Sequence, residues 1–371
     1  MRFPEFTEEW KEERLSKIAE LSKGVGISKE QLSEDGEPCI LYGELYTKYK
    51  SEIIHKVISK TNIESSNLKR SKRNDVIIPC SGETAIDIAV ARCVPFDNII
   101  LGGDLNIIRL HKDDGAFMAY QLNGKRKIDI AQLAQGVSVV HLYGENIKAI
   151  KTYNPCLQEQ QKIVKLLSML DERIEVQNKI IEDLKKLKSA IYQEIFGSLV
   201  AQTLELGQVA EIIKGKQVNG TELLEQGEYY VMNGGTTPSG WLNRYNTEAN
   251  TISISEGGNS CGYVQYNTSR YWSGGHCYSL RILHPQETLD LYLYHFLKWQ
   301  EDNIMALRIG SGLPNIQKKD LLRFPVILPV INKQKSIISI LSVIDAKMAC
   351  DILLTEHYVI QKKYLLRKLF I

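Results

Sequence analysis

The chain has 371 residues, which is enough for two domains of ordinary size, alone or joined by helical segments. Its content of 43% apolar and 24% charged residues is typical of folded globular proteins and excludes a disordered chain, whereas the net charge of +2 favours no class of partner. No run of about eighteen apolar residues occurs, so we expect no membrane-spanning helix. The charged residues that follow Phe6 argue against a secretory signal.

The cysteines are seven in number, and no two of them form a C-x-x-C pair. An odd number without such pairs argues against a disulfide framework and against a thiolate zinc site. We therefore expect a reduced protein of the cytoplasm that binds no metal.

In chain order, the sequence pattern of the first half predicts short strands, which are separated by turns rich in glycine and polar residues. Residues 75–79 and 105–110 read as strands. Residues 81–84 read as the turn after the first of these strands, and Gly102-Gly103 as the turn before the second. The pattern predicts a strand-rich domain with loops and a few short helices.

The segment after Pro155 differs, because it contains almost no glycine or proline before Gly197. Its apolar residues recur at alternating spacings of four and three, and polar Gln177 and Lys188 occupy two positions of the same series. A period of 3.5 residues, kept for about five heptads, is typical of a coiled coil. A helix of about 38 residues would be roughly 57 Å long. The predicted seam residues of this helix are Ile163, Leu167, Leu170, Ile174, Ile181, Leu184 and Ile191.

The second half follows the same order. Residues 251–254 alternate between apolar and polar as a strand does, and residues 289–299 read as a short helix. The chain then ends in another long helical pattern, with polar Asp351, Thr355 and Lys362 inside its series. Its predicted seam residues are Ile337, Leu341, Ile344, Met348, Leu365 and Leu369. We expect the two long helices to pair antiparallel, although a core helix of a bundle also carries an apolar stripe.

The two halves are also similar residue by residue, which indicates a duplication. Residues 18–24 match residues 209–215 at a spacing of about 191. The spacing then falls to about 174, where Pro155 meets Pro329, Gln160 meets Gln334, Asp171 meets Asp345 and Phe196 meets Phe370. The fall in spacing means that the first copy carries about 16 extra residues, mostly between residues 43 and 76.

The sequence contains no recognisable catalytic motif. A phosphate-binding G-x-x-x-x-G-K-[ST] loop, an H-E-x-x-H zinc motif and a G-x-S-x-G nucleophile elbow are all missing. His276 and Cys277 are adjacent, but neighbouring side chains of a strand point to opposite faces, which argues against a metal pair. Glu83, Asp87 and Asp104 lack the lysine that a nuclease cluster would need. The chain is therefore predicted to be non-catalytic.

Polar and basic loops are the remaining candidates, and their chemistry suits nucleic acid. Lysine and arginine are suited to phosphates, while asparagine, threonine and serine are suited to base edges. The alternative is that these segments are ordinary solvated loops, which occur on most protein surfaces. The candidate DNA-binding residues are Tyr46, Thr47, Lys48, Lys50, Lys69, Arg70, Lys72, Arg73, Asn233, Thr236, Thr237, Ser239 and Asn259.

The segments in front of the two long helices carry a resemblance to a known family. Pro155 is followed by Gln158-Glu159-Gln160, and the second copy repeats the pattern from Gly310 to Gln334. From about Leu15 to its end, and most specifically in these segments, the chain resembles the DNA specificity subunits of Type I restriction-modification systems. The family usually has a proline pair and Glu-Gln there, whereas this chain has single prolines and, in the second copy, Lys333-Gln334.

The resemblance implies an α+β fold with two strand-rich target-recognition domains, an internal pseudo-two-fold repeat and two long helices that form an antiparallel coiled coil. The implied boundaries are residues 1–157 and 198–329 for the domains, and residues 158–197 and 330–371 for the helices. Each domain would read half of a bipartite site in double-stranded DNA, and the helices would set the gap between the halves.

The resemblance also implies partners. Two methyltransferase subunits would dock on the helices, carry S-adenosylmethionine and flip the target adenine out of the duplex, and restriction/translocase subunits would join them. The chain itself would hold no cofactor and no catalytic residue. The alternative is a coiled-coil scaffold without DNA readout, which would lack the salt-sensitive DNA affinity of a DNA reader.

Overall fold

The computed structural model describes residues 2–64, 67–310 and 312–370. The chain divides into two compact units. Unit 1 comprises residues 1–178 and 353–371, and unit 2 comprises residues 179–352. Each unit therefore combines one globular half of the chain with a part of each long helix. Among the residues described, no helix is both long and apolar enough to cross a membrane.

The first half of the chain is built of short elements that end in a long helix. Its helices are α1 (Leu15–Ile18), α2 (Glu44–Thr47), α3 (Ala85–Ile88), α4 (Gly115–Asn123), α5 (Lys127–Gln132), α6 (Gly144–Lys148) and the long α7 (Leu157–Gly197). Its strands are β1 (Lys11–Arg14), β2 (Ala19–Lys23), β3 (Leu32–Ser33), β4 (Glu37–Ile40), β5 (Ser59–Thr61), β6 (Asp75–Pro79), β7 (Ser81–Gly82), β8 (Arg92–Val94), β9 (Ile100–Leu101), β10 (Leu105–Leu110), β11 (Val140–His141) and β12 (Lys151–Asn154).

The second half has the same kind of elements in nearly the same order. Its helices are α8 (Leu206–Val209), α9 (Asp290–Trp299), α10 (Glu301–Met305), α11 (Lys318–Leu322) and the long α12 (Ile331–Lys368). Its strands are β13 (Gln202–Glu205), β14 (Ala210–Lys214), β15 (Tyr229–Met232), β16 (Trp241–Leu242), β17 (Thr251–Ser255), β18 (Val264–Asn267), β19 (Trp272–Ser273), β20 (Cys277–Ile282) and β21 (Pro325–Leu328).

The central sheet has the same design in both units. It is four-stranded and antiparallel, with the order β2-β10-β6-β8 in unit 1 and β14-β20-β17-β18 in unit 2. A two-stranded antiparallel pair accompanies each sheet, β1 with β12 and β13 with β21. The predicted α+β class with an internal repeat is therefore confirmed. The domain boundaries implied by the resemblance stay a prediction.

The sheet of unit 1 is covered on both faces, which explains why β6 reads as a continuous apolar run. Val76 and Ile78 belong to the core that also contains residues of α4, whereas Ile77 between them belongs to a second core with Leu45 of α2. Helix α4 itself is buried on all sides, because its remaining apolar residues pack against the long helices. In unit 2, α9 takes the same place, with Phe296 in the core of the sheet.

The long helices run antiparallel within unit 1. Asp171 of α7 forms an ion pair with Lys362 of α12, and Arg173 lies over the ring of Tyr358, 5.8 Å from its centre. From the first contact to the second, the residue number on α7 rises while the residue number on α12 falls, as it does between antiparallel helices. All seam residues predicted for the two helices are buried or half-buried.

Unit 2 contains the repeat-related version of this helix contact. Lys188 of α7 forms an ion pair with Asp345 of α12. Asp345 is the equivalent of Asp171 at the spacing of 174, and Lys362 is the equivalent of Lys188 at the same spacing. The two ion pairs are therefore one contact of the repeat, made once in each unit with the roles of the helices exchanged.

A glutamine in the first turn of each long helix clamps the chain in front of it. In unit 1, Gln160 Oε1 accepts a hydrogen bond from the N–H of Asp114 (2.8 Å), and its Nε2 donates to the carbonyl of Pro155 (2.9 Å). In unit 2, Gln334 Oε1 accepts from the N–H of Leu289 (2.9 Å), and its Nε2 donates to the carbonyl of Pro329 (2.8 Å). The clamp joins the start of each long helix to the start of the helix that packs on it.

Replacing Gln160 with alanine is expected to lower the free energy of unfolding by about 1–3 kcal/mol, because buried backbone groups lose their partners. Gln160 is almost fully buried, whereas its neighbour Gln161 is exposed, so Gln161→Ala is a matched control with little expected effect. Urea unfolding of the two variants measures the difference. Equal midpoints would show that the clamp does not stabilise the fold.

Candidate nucleic-acid interface

The polar loops of unit 2 come together at one edge of its central sheet, which we call the loop end of unit 2. At this edge β14 ends at Lys214, β17 ends at Ser255 and β20 begins at Cys277. The loops that meet there are residues 233–240, 256–263 and 274–276. The structure thus brings distant parts of the chain to one surface.

The contacts between these loops are mostly made by backbone. Glu256 N–H donates to the carbonyl of His276 (2.9 Å), and Ser255 Oγ donates to the carbonyl of Gly234 (2.6 Å). Gly234 has a φ of 86° and lies so close to His276 that a Cβ atom would come within 3.0 Å of it. The backbone holds the loops in place and leaves their polar side chains at the surface.

The predicted residues of unit 2 lie at or beside this loop end. Thr236, Thr237 and Asn259 are exposed, so their hydroxyl and amide groups are available to a ligand. Asn233 is half-buried, and its Oδ1 accepts a hydrogen bond from the N–H of His276 (3.1 Å), which gives it a role in fixing the loop. Ser239 lies further along, where its N–H donates to Val231 of β15.

One carboxylate organises the base of the loop end. Glu256 Oε1 accepts hydrogen bonds from Lys214 Nζ (2.7 Å) and from the hydroxyl of Tyr278 (3.0 Å). Burial raises the pKa of Tyr278, and the hydrogen bond and negative charge of Glu256 raise it further, so this tyrosine stays a neutral donor. Lys214 is thereby held at the edge of the sheet in an ion pair with Glu256.

The loop end of unit 1 is the equivalent edge, where β2 ends at Lys23, β6 ends at Pro79 and β10 begins at Leu105. A Cβ atom on Gly24 would meet the carbonyl oxygen of Gly102, just as one on Gly215 would meet that of Gly274, so the close approach of two loops is repeated.

Of the aromatic and basic candidates 46–50, Tyr46 lies at the loop end of unit 1. A Cβ atom on Gly82 would be 4.0 Å from its hydroxyl, and burial raises its pKa. Thr47, Lys48 and Lys50 are exposed. Lys48 Nζ forms an ion pair with Glu44 Oε1 (2.6 Å).

Of the predicted basic cluster 69–73, only Lys69 lies beside a loop end, because Leu101 binds both Lys69 and Val25 through its backbone. Arg70 forms a two-pronged ion pair with Glu37 (2.6 and 2.9 Å), and the carbonyl of Lys69 accepts a hydrogen bond from Leu101 of β9. Lys72 and Arg73 precede Asp75, which begins β6, whereas the loop end lies where β6 finishes. The structure therefore separates Lys72 and Arg73 from the loop end of unit 1, whereas Lys69 lies beside it.

Two arginines stacked on aromatic rings lie in unit 2 and were not predicted. The guanidinium of Arg270 lies 4.7 Å from the ring centre of Tyr245, and that of Arg244 lies 5.1 Å from that of Trp272. Each guanidinium group also forms an ion pair with a glutamate, Arg270 with Glu248 (2.8 Å) and Arg244 with Glu222 (2.6 Å). Stacking and pairing together hold the two groups in place. The signal in the sequence was the mixture of arginine and aromatic residues at 241–245 and 270–272, of the kind recognised at 46–50.

Within residues 2–64, 67–310 and 312–370, no group of three or more histidine, cysteine, aspartate or glutamate side chains could hold a metal ion. The model of the Type I restriction modification DNA specificity domain matches the chain twice, over residues 7–186 and 201–352. The chain belongs to this family. The resemblance noted at Pro155 and Pro329 is thereby confirmed.

Relatives and solved structures agree with this assignment. A Mycoplasma pneumoniae protein named as a type I specificity subunit is 38% identical over 144 residues, 38% of this chain and 38% of the relative. A Mycoplasma genitalium protein named in the same way is 35% identical over 140 residues, 37% of this chain and 36% of the relative. The chain thus spans little more than a third of the length of these two relatives.

The fold is shared over the whole chain with a solved specificity-family structure. The crystal structure of the S subunit of a Type I restriction-modification system from M. genitalium has a TM-score of 0.69 and 20% identity, and the match covers 100% of this chain and 97% of that one. A second structure, from a study of assembly and conformational transition of the type I system, has a TM-score of 0.56 and 17% identity, with 98% and 97% covered. Both similarities concern the fold.

Proposed function

We propose that the chain is the non-catalytic DNA-binding subunit of a Type I restriction-modification complex, and that each unit reads one half of a bipartite site in double-stranded DNA. The observation that carries the proposal is the repeated loop end. Both units have the same four-stranded sheet and the same close approach of glycines at one edge. The side chains at that edge differ, since unit 1 carries α2 where unit 2 carries the loop 233–240. A common framework with different polar loops suits two different half-sites.

The chemistry of the loop ends supports recognition of bases together with phosphates. Threonine and asparagine side chains donate and accept hydrogen bonds at base edges, and the exposed Thr236, Thr237 and Asn259 are of this kind. Lys214 and the stacked Arg244 and Arg270 would contact phosphates by exchanging their present glutamate partners for the DNA backbone. Joining two weak readers in one chain raises the affinity for a site that has both halves.

Exposed apolar residues on the long helices support docking of methyltransferase subunits. In unit 1, Met169 and Val176 of α7 are exposed one heptad apart. In unit 2, Val343 of α12 is exposed and is the equivalent of Met169 at the spacing of 174. A docking surface present in both copies suits two methyltransferase subunits, which would carry S-adenosylmethionine. Restriction/translocase subunits and a cytoplasmic location complete the proposal.

The experiment is co-expression with the methyltransferase subunit of the same system, followed by sequencing of methylated adenines in the host DNA. We expect one two-part motif with a fixed unspecified gap. Methylation without such a motif, or no methylation by a complex that forms, would contradict the proposal. A scaffold without DNA readout would form the complex and leave the DNA unmodified.

Replacing both Thr236 and Thr237 with alanine is expected to relax or change only one half of the motif, because the two residues lie at the loop end of unit 2. Loss of one base contact lowers discrimination by about 1–3 kcal/mol, so we expect roughly tenfold weaker binding of the original motif. The slope of affinity against salt should not change, since no charge is removed. Thr203→Ala is the control, because Thr203 is exposed on β13, outside the loop end. A change in both halves would refute the assignment.

A further inference from the structure

Each unit carries a protruding loop that is closed at its base, and we call it the tip loop. In unit 1 it comprises residues 136–140, and Gln135 and His141 exchange two backbone hydrogen bonds (2.9 and 2.7 Å). In unit 2 its described residues are Gly310, Gly312, Leu313 and Pro314, and Ile309 and Asn315 exchange the same two bonds (2.8 and 3.0 Å). The two tip loops are equivalent at the repeat spacing of 174.

A glycine begins each tip loop, and its conformation explains why. Gly136 has a φ of 122° and Gly310 a φ of 102°, in the region that favours glycine. A Cβ atom on Gly136 would also lie 2.1 Å from the carbonyl oxygen of Val139. The sharp turn is thus fixed by the sequence in both copies.

Further hydrogen bonds fix each tip loop at the loop end of its unit. In unit 1, β11 pairs with β7, and Leu142 N–H donates to the carbonyl of Cys80 (2.7 Å). In unit 2, Gly258 N–H donates to the carbonyl of Pro314 (2.9 Å), and Ile316 N–H donates to that of Glu256 (2.8 Å). The tip loops therefore emerge beside the polar side chains that we propose to read DNA.

The tips themselves are apolar. Val137 is 98% exposed in unit 1, and Leu313 is 84% exposed in unit 2. A single exposed apolar residue is ordinary on a protein surface. Here, however, an exposed apolar residue occurs in the tip loop of both copies, and the equivalent of Leu313 at the spacing of 174, Val139, is exposed as well. Because backbone hydrogen bonds already fix the tip loop, it loses little conformational entropy when its apolar side chain makes a contact.

The charge around the tip of unit 2 favours DNA over an apolar protein surface. Arg308, Lys318 and Lys319 flank this loop in the sequence and are exposed. None of the three forms an ion pair within the part of the chain that the structure describes. Cations beside an apolar tip match a DNA groove, where phosphates line the rim and the bases offer apolar surface inside. Proteins that bend or unstack DNA use apolar side chains in this way.

We propose that Leu313 and Val137 enter a groove of the bound DNA and contact the apolar surface of bases, one in each half-site. The proposal rests on the proposed function, since it requires that the two loop ends bind DNA. It adds a contact that is neither a base-edge hydrogen bond nor a phosphate contact. The affinity that it contributes should therefore be insensitive to salt.

The test uses the complex of the full chain with its methyltransferase subunit and a duplex that carries the motif found by sequencing of methylated adenines. Leu313→Ser and Val137→Ser are expected to weaken binding about tenfold each, because the burial of an apolar side chain is lost. The dependence of the dissociation constant on salt should match that of the wild type. Leu313→Met should restore most of the affinity, since it is apolar and of similar size.

The matched control is Val200→Ser, because Val200 is 96% exposed and lies in the connection before β13, outside the loop ends. The Val200→Ser variant should bind DNA with the affinity of the wild type.

Two modified duplexes assign the contact to a part of the DNA. If the fluorescence of 2-aminopurine in one half-site rises on binding, the contact is with the base stack. If a duplex with uracil in place of thymine binds more weakly, the contact is with a thymine methyl group. Either result supports the proposal.

Two outcomes overturn it. Unchanged DNA affinity of both serine variants would overturn the inference alone, and a simultaneous loss of methyltransferase from the complex would identify the tips as protein contacts. A wild-type complex without affinity for the duplex would overturn the proposed function and this inference together.

Discussion

The variant Asp171→Ala is expected to lose about 3–5 kcal/mol of stability in unit 1, the usual result of removing one partner from a buried ion pair. Asp171 and its partner Lys362 have side-chain exposures of only 6% and 12%. Lys362 is also paired with Glu52, whose side chain is 8% exposed. Alanine at residue 171 leaves one carboxylate to compensate a buried ammonium group, and it removes an ion pair between α7 and α12.

The neighbouring hydrogen bonds increase the expected effect. The hydroxyl of Tyr120 donates to Asp171 Oδ2 (2.6 Å), and Ser51 Oγ donates to the same oxygen (3.2 Å). Tyr120 lies on α4, so one carboxylate joins α4, α7 and α12. Burial raises the pKa of Tyr120, as does the negative charge of Asp171, and the tyrosine therefore remains a donor that needs an acceptor.

The duplication supplies the control. Asp345 is the equivalent residue of unit 2, and its side chain is 35% exposed, so water can replace part of what Asp345→Ala removes. We expect this variant to lose about 1 kcal/mol, as partly exposed pairs do. Urea unfolding measures both losses, and hydrogen exchange at residues 365–369 locates the first. Equal losses in the two variants would show that burial does not determine the strength of this contact.

The duplication and the helix seams could be predicted because they depend on spacing alone. A period of 3.5 residues is visible in the sequence whatever the partner of the helix is. The seam residues predicted from it are all buried or half-buried. Polar Gln177, Lys188 and Lys362 were recognised as interruptions of the seam. As interruptions of the seam, these polar residues did not indicate that Lys188 and Lys362 make the same contact in different units.

The partners of those polar residues could not be predicted, because they come from distant parts of the chain. Glu52 lies between residues 43 and 76, where most of the extra residues of the first copy are, and its pairing with Lys362 joins residues 310 positions apart. The repeat pattern contains no information about a contact that exists in only one copy.

The candidate interface was predicted in part, for a related reason. The loop around Thr236 was recognised by its composition, and it does lie at a loop end. The cluster 69–73 has the composition of a DNA-binding segment, yet its residues Lys72 and Arg73 lie at the other end of β6. Composition shows that a loop is polar, but the end of the sheet at which it lies depends on strand pairing.

The second large effect concerns a buried histidine of unit 2. His295 occupies on α9 the place that Tyr120 has on α4, and it is 1% exposed. Its Nδ1 is 3.0 Å from the hydroxyl of Tyr192, and its Nε2 is 3.9 Å from Asp345 Oδ2. Burial lowers the pKa of His295 to about 4, and the positive charge of Lys188 acts in the same direction, whereas Asp345 opposes both.

Because this pKa is lowered, unit 2 should lose stability as the solution becomes acidic. In the unfolded chain a histidine takes up its proton near pH 6.5, while His295 in the folded protein stays neutral down to about pH 4. Between these values the unfolded state binds more protons, so the free energy of unfolding falls as the pH falls. Across that range the loss from this one group amounts to about 3 kcal/mol.

Replacing His295 with glutamine should remove that loss, since an amide can keep a hydrogen bond to Tyr192 but does not titrate. Urea unfolding at pH 7 and pH 4.5, followed by tryptophan fluorescence, measures the change, because Trp241, Trp272 and Trp299 lie in unit 2. The exposed His284 provides the control, and His284→Gln should keep the wild-type dependence. The explanation would be wrong if the free energy of unfolding of His295→Gln fell in acid as much as that of the wild type. The acid sensitivity of unit 2 would then come from its carboxylates, and not from the buried imidazole of His295.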